Sequence, residues 1–176
     1  MIKNIVLGGG CFWCTEAIFN KTIGVEKVLP GYMGGKTLNP TYRDICTGLT
    51  GHAEVISIDY DLKKINLENI LEIFFSTHDP TTLNRQGNDM GTQYRSSIFT
   101  DNKEEIEMIF NFIKALDKSK EFKDKVVTTI ENKTTFYVAE NYHHDYFENN
   151  KNVPYCSVVI SPKLEKFKKN KSKFLN

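Results

Sequence analysis

The chain predicts a two-layer α+β fold, with helices packed against a mixed β-sheet. Three observations predict it. Segments of strand character and segments of helical spacing interleave from one end to the other. The 176 residues suffice for one domain with a sizeable core. No internal repeat or low-complexity linker divides them, so residues 1–176 read as a single domain.

The elements follow in order. Residues 2–7 form an apolar first strand, and glycines lead from it into a helix over Phe12–Phe19. Val25–Met33 is a second extended segment, closed by Gly34-Gly35. Asn39-Pro40-Thr41-Tyr42 has turn chemistry, because proline pre-sets φ and asparagine tolerates turn conformations. Residues 52–60 are rich in β-branched side chains and predict a strand with Ile56, Ile58 and Tyr60 on one face. Leu67–Thr77 places Leu67, Ile70, Leu71, Phe74 and Phe75 at helical spacing. Residues 78–93 form a long loop carrying Gly, Asn and Asp, and its length marks it as a functional loop. A strand follows over 94–100. Asp101 with Glu104 resembles a capping box ahead of the stripe Ile106, Ile109, Phe110 and Ile113. Residues 125–130 and 135–139 read as strands and 141–150 as a short helix. Residues 152–160 carry Tyr155 and Cys156, ahead of Pro162 and a basic tail over 163–176.

Charge argues against nucleic acid. The formal net charge is +1, and the lysines at 163, 166, 168, 169, 171 and 173 lack an aromatic stacking platform. The tail therefore reads as a solvated, partly frayed end. No signal peptide is recognisable and no apolar run approaches the roughly 18 residues of a membrane span. A soluble cytoplasmic protein is the expectation. There the four cysteines are reduced at rest, and any disulfide is transient and catalytic.

Chemistry concentrates in Gly9-Gly10-Cys11-Phe12-Trp13-Cys14-Thr15-Glu16. The peptide N–H groups of a helix's first turn favour an anionic sulfur at Cys11. Phe12 and Trp13, the chain's only tryptophan, flank it and suggest sulfur chemistry on a small apolar group. Three readings of Cys11 and Cys14 stay open: a redox dithiol, half of a zinc site, or two helix residues of no special role. Zinc would need two further ligands from Cys46, Cys156, His143 and His144, none of which has a standard spacing. The two histidines otherwise read as ordinary surface or core residues. Glu54 falls on the face of Ile56 and Ile58. Burial there would raise its pKa and let it donate a proton near neutral pH, although an exposed carboxylate at a strand end fits the residues alone better. Tyr42, Tyr94 and Tyr155 can offer a phenol to an oxygen, or simply pack half-buried. Asp89 reads as a turn residue and Cys46 as a small buried hydrophobe.

Further ordered segments join that run: Gly31-Tyr32-Met33-Gly34-Gly35, the stretch 39–48, Thr50-Gly51-His52-Ala53-Glu54-Val55, His78-Asp79-Pro80-Thr81, residues 85–96, Ala139-Glu140-Asn141-Tyr142-His143 and Tyr155-Cys156. Together, from Ile5 to about Ile160, they resemble the A-type peptide methionine sulfoxide reductases. The resemblance implies a ferredoxin-like core, no cofactor, and reduction of the S epimer of methionine sulfoxide, free or in peptides. By the same resemblance Cys11 matches the nucleophile and Glu54 the acid that protonates the sulfoxide oxygen. Tyr42 and Tyr94 match phenols that bind that oxygen, and Asp89 a nearby positioning residue. Phe12 and Trp13 match the wall that holds the substrate methyl, with Tyr155 beside them as a substrate-binding candidate. Cys11 would become a sulfenic acid, then a disulfide that an external dithiol, thioredoxin or dithiothreitol, reduces. Many members carry glycine where this chain has Cys14, so either Cys14 or Cys156 is the resolving thiol. Cys156 is favoured because a mobile loop meets disulfide geometry more easily. A monomer is expected. Two alternatives are a general dithiol–disulfide oxidoreductase and a zinc-stabilised binding module built on Cys11, Cys14, Cys156 and a histidine.

Overall fold

The computed structural model describes residues 1–176. Eight strands and six α-helices are interspersed along the chain. In order they are β1 (Ile2–Gly9), α1 (Phe12–Phe19), β2 (Val25–Met33), α2 (Tyr42–Cys46), β3 (Ala53–Asp61), α3 (Leu67–Thr77), β4 (Arg85–Gln86), β5 (Asp89–Met90), β6 (Ser96–Phe99), α4 (Lys103–Ser119), β7 (Thr129–Glu131), β8 (Tyr137–Val138), α5 (Tyr146–Asn149) and α6 (Ser161–Asn170). Six strands form one sheet in the order β7-β6-β1-β3-β2-β8, and β4 and β5 pair as a separate hairpin. All neighbours in the large sheet are antiparallel except β6 and β7. The inner order β6-β1-β3-β2, with α1 and α3 as the connecting helices, is the ferredoxin-like arrangement, so the mixed-sheet α+β expectation holds.

The sheet divides the core in two. Ile5, Leu7, Ile56, Ile58 and Ile98 meet Phe12, Ile18, Phe19, Ile70 and Phe74 of α1 and α3 on one face. Val6, Met33, Ala53, Val55 and Phe99 form a smaller cluster on the other, under Phe136. Helix α1 is buried on nearly every side, because it lies between the sheet and the C-terminal helices. A helix buried all round needs apolar residues all round, and its sequence Phe-Trp-Cys-Thr-Glu-Ala-Ile-Phe leaves Glu16 as the one charged exception. Glu16 accepts the Asp145 amide at 2.9 Å, and burial lifts its pKa to about 7.

Several local readings need correction. The cap of α4 is Asn102, whose side chain accepts the Glu104 and Glu105 amides; Asp101 instead accepts the Lys133 amide. The turn at 39–42 runs into the short helix α2, fixed by a capping box between Thr41 and Asp44. The loop 78–93 contains the hairpin β4–β5. Cys46 is exposed, not a buried hydrophobe. The lysine-rich tail is not frayed. It forms α6 and buries Leu164, Phe167 and Phe174, while the 175–176 end bonds back to Thr22 and Lys21. Apolar spacing at 164 and 167 outweighs the charge run, because the lysines occupy the remaining faces of the helix.

Candidate active site

The end of β1 delivers a sulfur to the start of α1. Gly10 turns the chain with φ +91°, and a Cβ there would come within 2.6 Å of the Gln86 side chain. Cys11 then caps the helix, and its carbonyl accepts the Cys14 amide at 3.2 Å. Both thiols are buried. The sequence argument for an anionic Cys11 is reversed here. Burial first, then the nearby Cys14 and Glu54, push the Cys11 thiol well up, against the Trp13 amide. Cys14 moves the other way: the neighbouring Cys11 lowers it most, burial opposes, and Lys163 and Tyr155 add to the lowering. The two neighbouring sulfurs are thus pushed in opposite directions, Cys11 toward the thiol and Cys14 toward easier ionisation.

Glu54 stands on β3 directly across from Tyr32 of β2. It is 1% exposed, so the exposed strand-end reading fails. Both faces of β3 are covered at this point, since Ala53 and Val55 are buried too. The Phe12 amide donates to Glu54 Oε1 at 3.3 Å, and Oε2 has no partner. Burial raises the carboxyl to about 8, with the Phe12 amide opposing and Asp89 and Cys14 adding to the rise. Near neutral pH it is a buried acid holding its proton.

Tyr42 opens α2 and Tyr94 ends a 3₁₀ turn at Thr92–Tyr94. Both are half-buried, and both phenols are pushed up by burial and then by the neighbouring Glu54. They stay protonated and can donate to an oxygen in front of Glu54. Asp89, on β5, faces the same group from the hairpin and accepts the Tyr155 hydroxyl at 2.7 Å. That hydroxyl lies 4.0 Å from the Cys14 sulfur, so Tyr155 belongs to the Cys14 side of the site.

Phe12 is fully buried between Tyr32 and His143, with ring centres 5.7 and 5.0 Å away. Trp13 is half-buried. It stacks on Tyr146 at 3.7 Å and 6° and meets Tyr155 edge-on at 5.7 Å. Its indole N–H donates to His143 Nδ1 at 2.9 Å. His143 is fully buried and held down at about 4, chiefly by burial, so the ring is neutral.

Cys156 is not on a mobile loop. It is buried and opens a π-helical turn, Cys156–Ile160, that runs directly into α6. Burial and then Cys14 raise its thiol. All four cysteines are free thiols. No three His, Cys, Asp or Glu side chains converge to hold a metal ion, so the ligand set of the zinc-module reading is not brought together.

Three supporting residues escape a reading by periodicity. Glu140 accepts the Tyr32 hydroxyl and the Tyr42 amide, each at 2.9 Å, and so fastens α2 to β2. His143 orients Trp13, and Tyr146 covers its face. All three lie in the run 139–146, whose part 139–143 carries the family resemblance but to which no periodicity assigns a role.

The chain is similar to known proteins over nearly its whole length. A family profile described as "Peptide methionine sulfoxide reductase" matches residues 3–175. The peptide methionine sulfoxide reductase MsrA of Trichodesmium erythraeum is 51% identical over 169 residues, 96% of each chain. The reduced form of Mxr1 from Saccharomyces cerevisiae superposes with a TM-score of 0.80 at 32% identity, covering 88% of this chain and 89% of its own. Mxr1 in complex with Trx2 superposes at 0.56 and 23% identity over 82% and 84% of the two chains, a likeness of fold.

Proposed function

The chain belongs to the peptide methionine sulfoxide reductase family, and from that premise we propose how its own residues reduce methionine sulfoxide. The observation that carries the assignment is the buried, protonated Glu54 hydrogen-bonded to the start of the helix that bears Cys11. A sulfoxide oxygen carries partial negative charge. Set before Glu54, Tyr42 and Tyr94, it receives a proton and two hydrogen bonds, all stronger as charge develops. The sulfur becomes more electrophilic and Cys11 attacks it. Cys11 loses its proton to solvent as it attacks, and solvent returns a proton to Glu54 after its donation. The oxygen passes to Cys11, methionine leaves, and Cys11 becomes a sulfenic acid. The exposed part of Trp13, backed by Tyr146 and His143, supplies the apolar wall for the methyl group.

Cys14 then attacks the sulfenic acid, forming the disulfide and releasing water. Its place one helical turn from Cys11, whose carbonyl accepts its amide, favours it over Cys156, which sits buried in a helical turn. Cys156 is the second thiol, within the electrostatic reach of Cys14, and can take the bond over by exchange. An external dithiol restores the enzyme. Thioredoxin is the partner we assign, in line with the complex of the yeast relative Mxr1 with Trx2.

The test is turnover of the separate S and R epimers of a methionine sulfoxide peptide, with dithiothreitol as reductant and Cys11→Ser as control. The mechanism predicts reduction of the S epimer only, abolished in Cys11→Ser. Turnover that survives Cys11→Ser would refute it.

A further inference from the structure

The C-terminal helical segment presents one face to the two sulfurs. Tyr155, Val159 and Lys163 are spaced four apart, and with Cys11, Cys14, Gln86 and Asp89 they line a cleft of about 200 Å³. Among the lysines of the tail only Lys163 lines this cleft. Lys168 pairs with Glu165, and Lys171 and Lys173 pair with Glu72. Lys163 is half-buried and has no carboxylate within 4.0 Å. A long cationic side chain placed this way, beside two thiols and without an acidic partner, has a use for its charge.

The groups facing Cys14 come from four elements. Cys11 caps its own helix. Glu54 faces it from β3 and Asp89 from β5, and Tyr155, Cys156 and Lys163 from the C-terminal segment. Glu54 is neutral below about 8. The Tyr155 hydroxyl is committed to Asp89. Asp89 works against a charge on Cys14. Lys163 is the single cation of the set.

We propose that Lys163 is a positioning residue for the resolving thiol: its ammonium, held in the cleft by α6, keeps Cys14 as the thiolate that attacks the Cys11 sulfenic acid. The inference rests on the reading that Cys14 resolves Cys11. In that step an S–S bond forms between the two sulfurs and the S–O bond of Cys11 breaks. Cys14 is oxidised and the sulfenic sulfur is reduced. The oxygen leaves as hydroxide and takes a proton from solvent to give water. The direction of the Cys14 shift, in which Lys163 takes part, agrees with the placement.

The test reads Cys14 alone. In Cys11→Ser the tryptic peptide 4–21 contains one thiol, and its alkylation by iodoacetamide is followed by mass against pH. Adding Lys163→Met should move the profile to higher pH and slow alkylation at pH 7 by about tenfold, while Lys163→Arg should restore it. Identical profiles with and without Lys163→Met, in proteins of equal circular dichroism, would overturn the proposal. So would a shift that arginine fails to restore. With Cys11 present, Lys163→Met should prolong the dimedone-reactive sulfenic acid at pH 7 and recover at pH 9. Cys14→Ser separates the two ideas. If its sulfenic acid disappears at the normal rate, the resolving role of Cys14 fails, and the alkylation profile still decides the charge effect of Lys163.

Discussion

The Phe12 amide points at Glu54 Oε1 from 3.3 Å, and this contact ties the helix that carries the nucleophile to the strand that carries the acid. It is the one hydrogen bond the Glu54 carboxyl makes, since Oε2 is buried without a partner. A carboxylate in that position would be under-solvated, and a protonated carboxyl is tolerated. The ionisation state of Glu54 is therefore set by where β3 passes beneath α1.

Glu54→Gln should lower kcat by about 10²–10⁴, the usual contribution of a general acid, while stabilising the fold at alkaline pH. The sign follows from the raised pKa. The unfolded carboxyl ionises near 4.5 and the folded one near 8. Stability from this group is complete below about 4.5 and is lost as pH rises through 8. The variant should match the parent near pH 4 and exceed it by on the order of a few kcal/mol at pH 8. Urea melts at the two pH values decide it. An advantage that does not grow with pH would contradict the buried-acid assignment.

Cys14→Ser and Cys156→Ser separate the two candidate resolving thiols. After one equivalent of sulfoxide, the parent should carry a Cys11–Cys14 disulfide as its first product, identified by peptide mass. Cys14→Ser should accumulate sulfenic acid, and Cys156→Ser should still form the first disulfide at the parental rate. If Cys156→Ser instead accumulates sulfenic acid, the helical turn at 156 must open in the oxidised enzyme and Cys156 resolves first.

What the sequence made legible follows from the range of the interactions involved. The helices Phe12–Phe19 and Leu67–Thr77 and the strand Val25–Met33 fall where the sequence puts them: α3 carries a buried apolar face, α1 is buried almost all round, and β2 is buried from Pro30 to Met33. The site is split differently. Cys11, Phe12, Trp13 and Cys14 are contiguous and readable as a motif. The surroundings that shift their protonation come from β3, β5 and the segment 155–163, which no local pattern brings together. Burial accordingly reversed the expected direction at Cys11, and helical packing replaced the expected loop at Cys156. Strand order lay beyond periodicity for the same reason.

The C-terminal tail is part of the core, and Phe167 is its anchor. Its ring is buried among the helices packed over α1 and α3. Phe167→Ala should cost about 3–5 kcal/mol by loss of buried surface and creation of a cavity. It should also lower activity, because α6 carries Lys163 and follows the turn bearing Cys156. Chemical denaturation measures the first effect. A cost below about 1 kcal/mol would mean that the end of the chain behaves as the solvated tail its charge suggests.

Glu140 is the residue whose removal should separate positioning from chemistry. One of its oxygens accepts the Tyr32 hydroxyl and the other the Tyr42 amide. Tyr32 is fully buried, so deleting the carboxylate leaves a phenol without its acceptor. Glu140→Ala should therefore destabilise the protein by about 1–3 kcal/mol. The second loss is at Tyr42, whose backbone would no longer be held against β2. A phenol that matters most as charge builds on the sulfoxide oxygen affects kcat more than KM. The expected result is a fall in kcat with KM nearly unchanged, partly recovered in Glu140→Gln, which keeps one acceptor oxygen. Steady-state kinetics with the S-epimer peptide provide the measurement. A parental kcat in folded Glu140→Ala would remove Tyr42 from the oxygen site, because its position would then be immaterial to the rate.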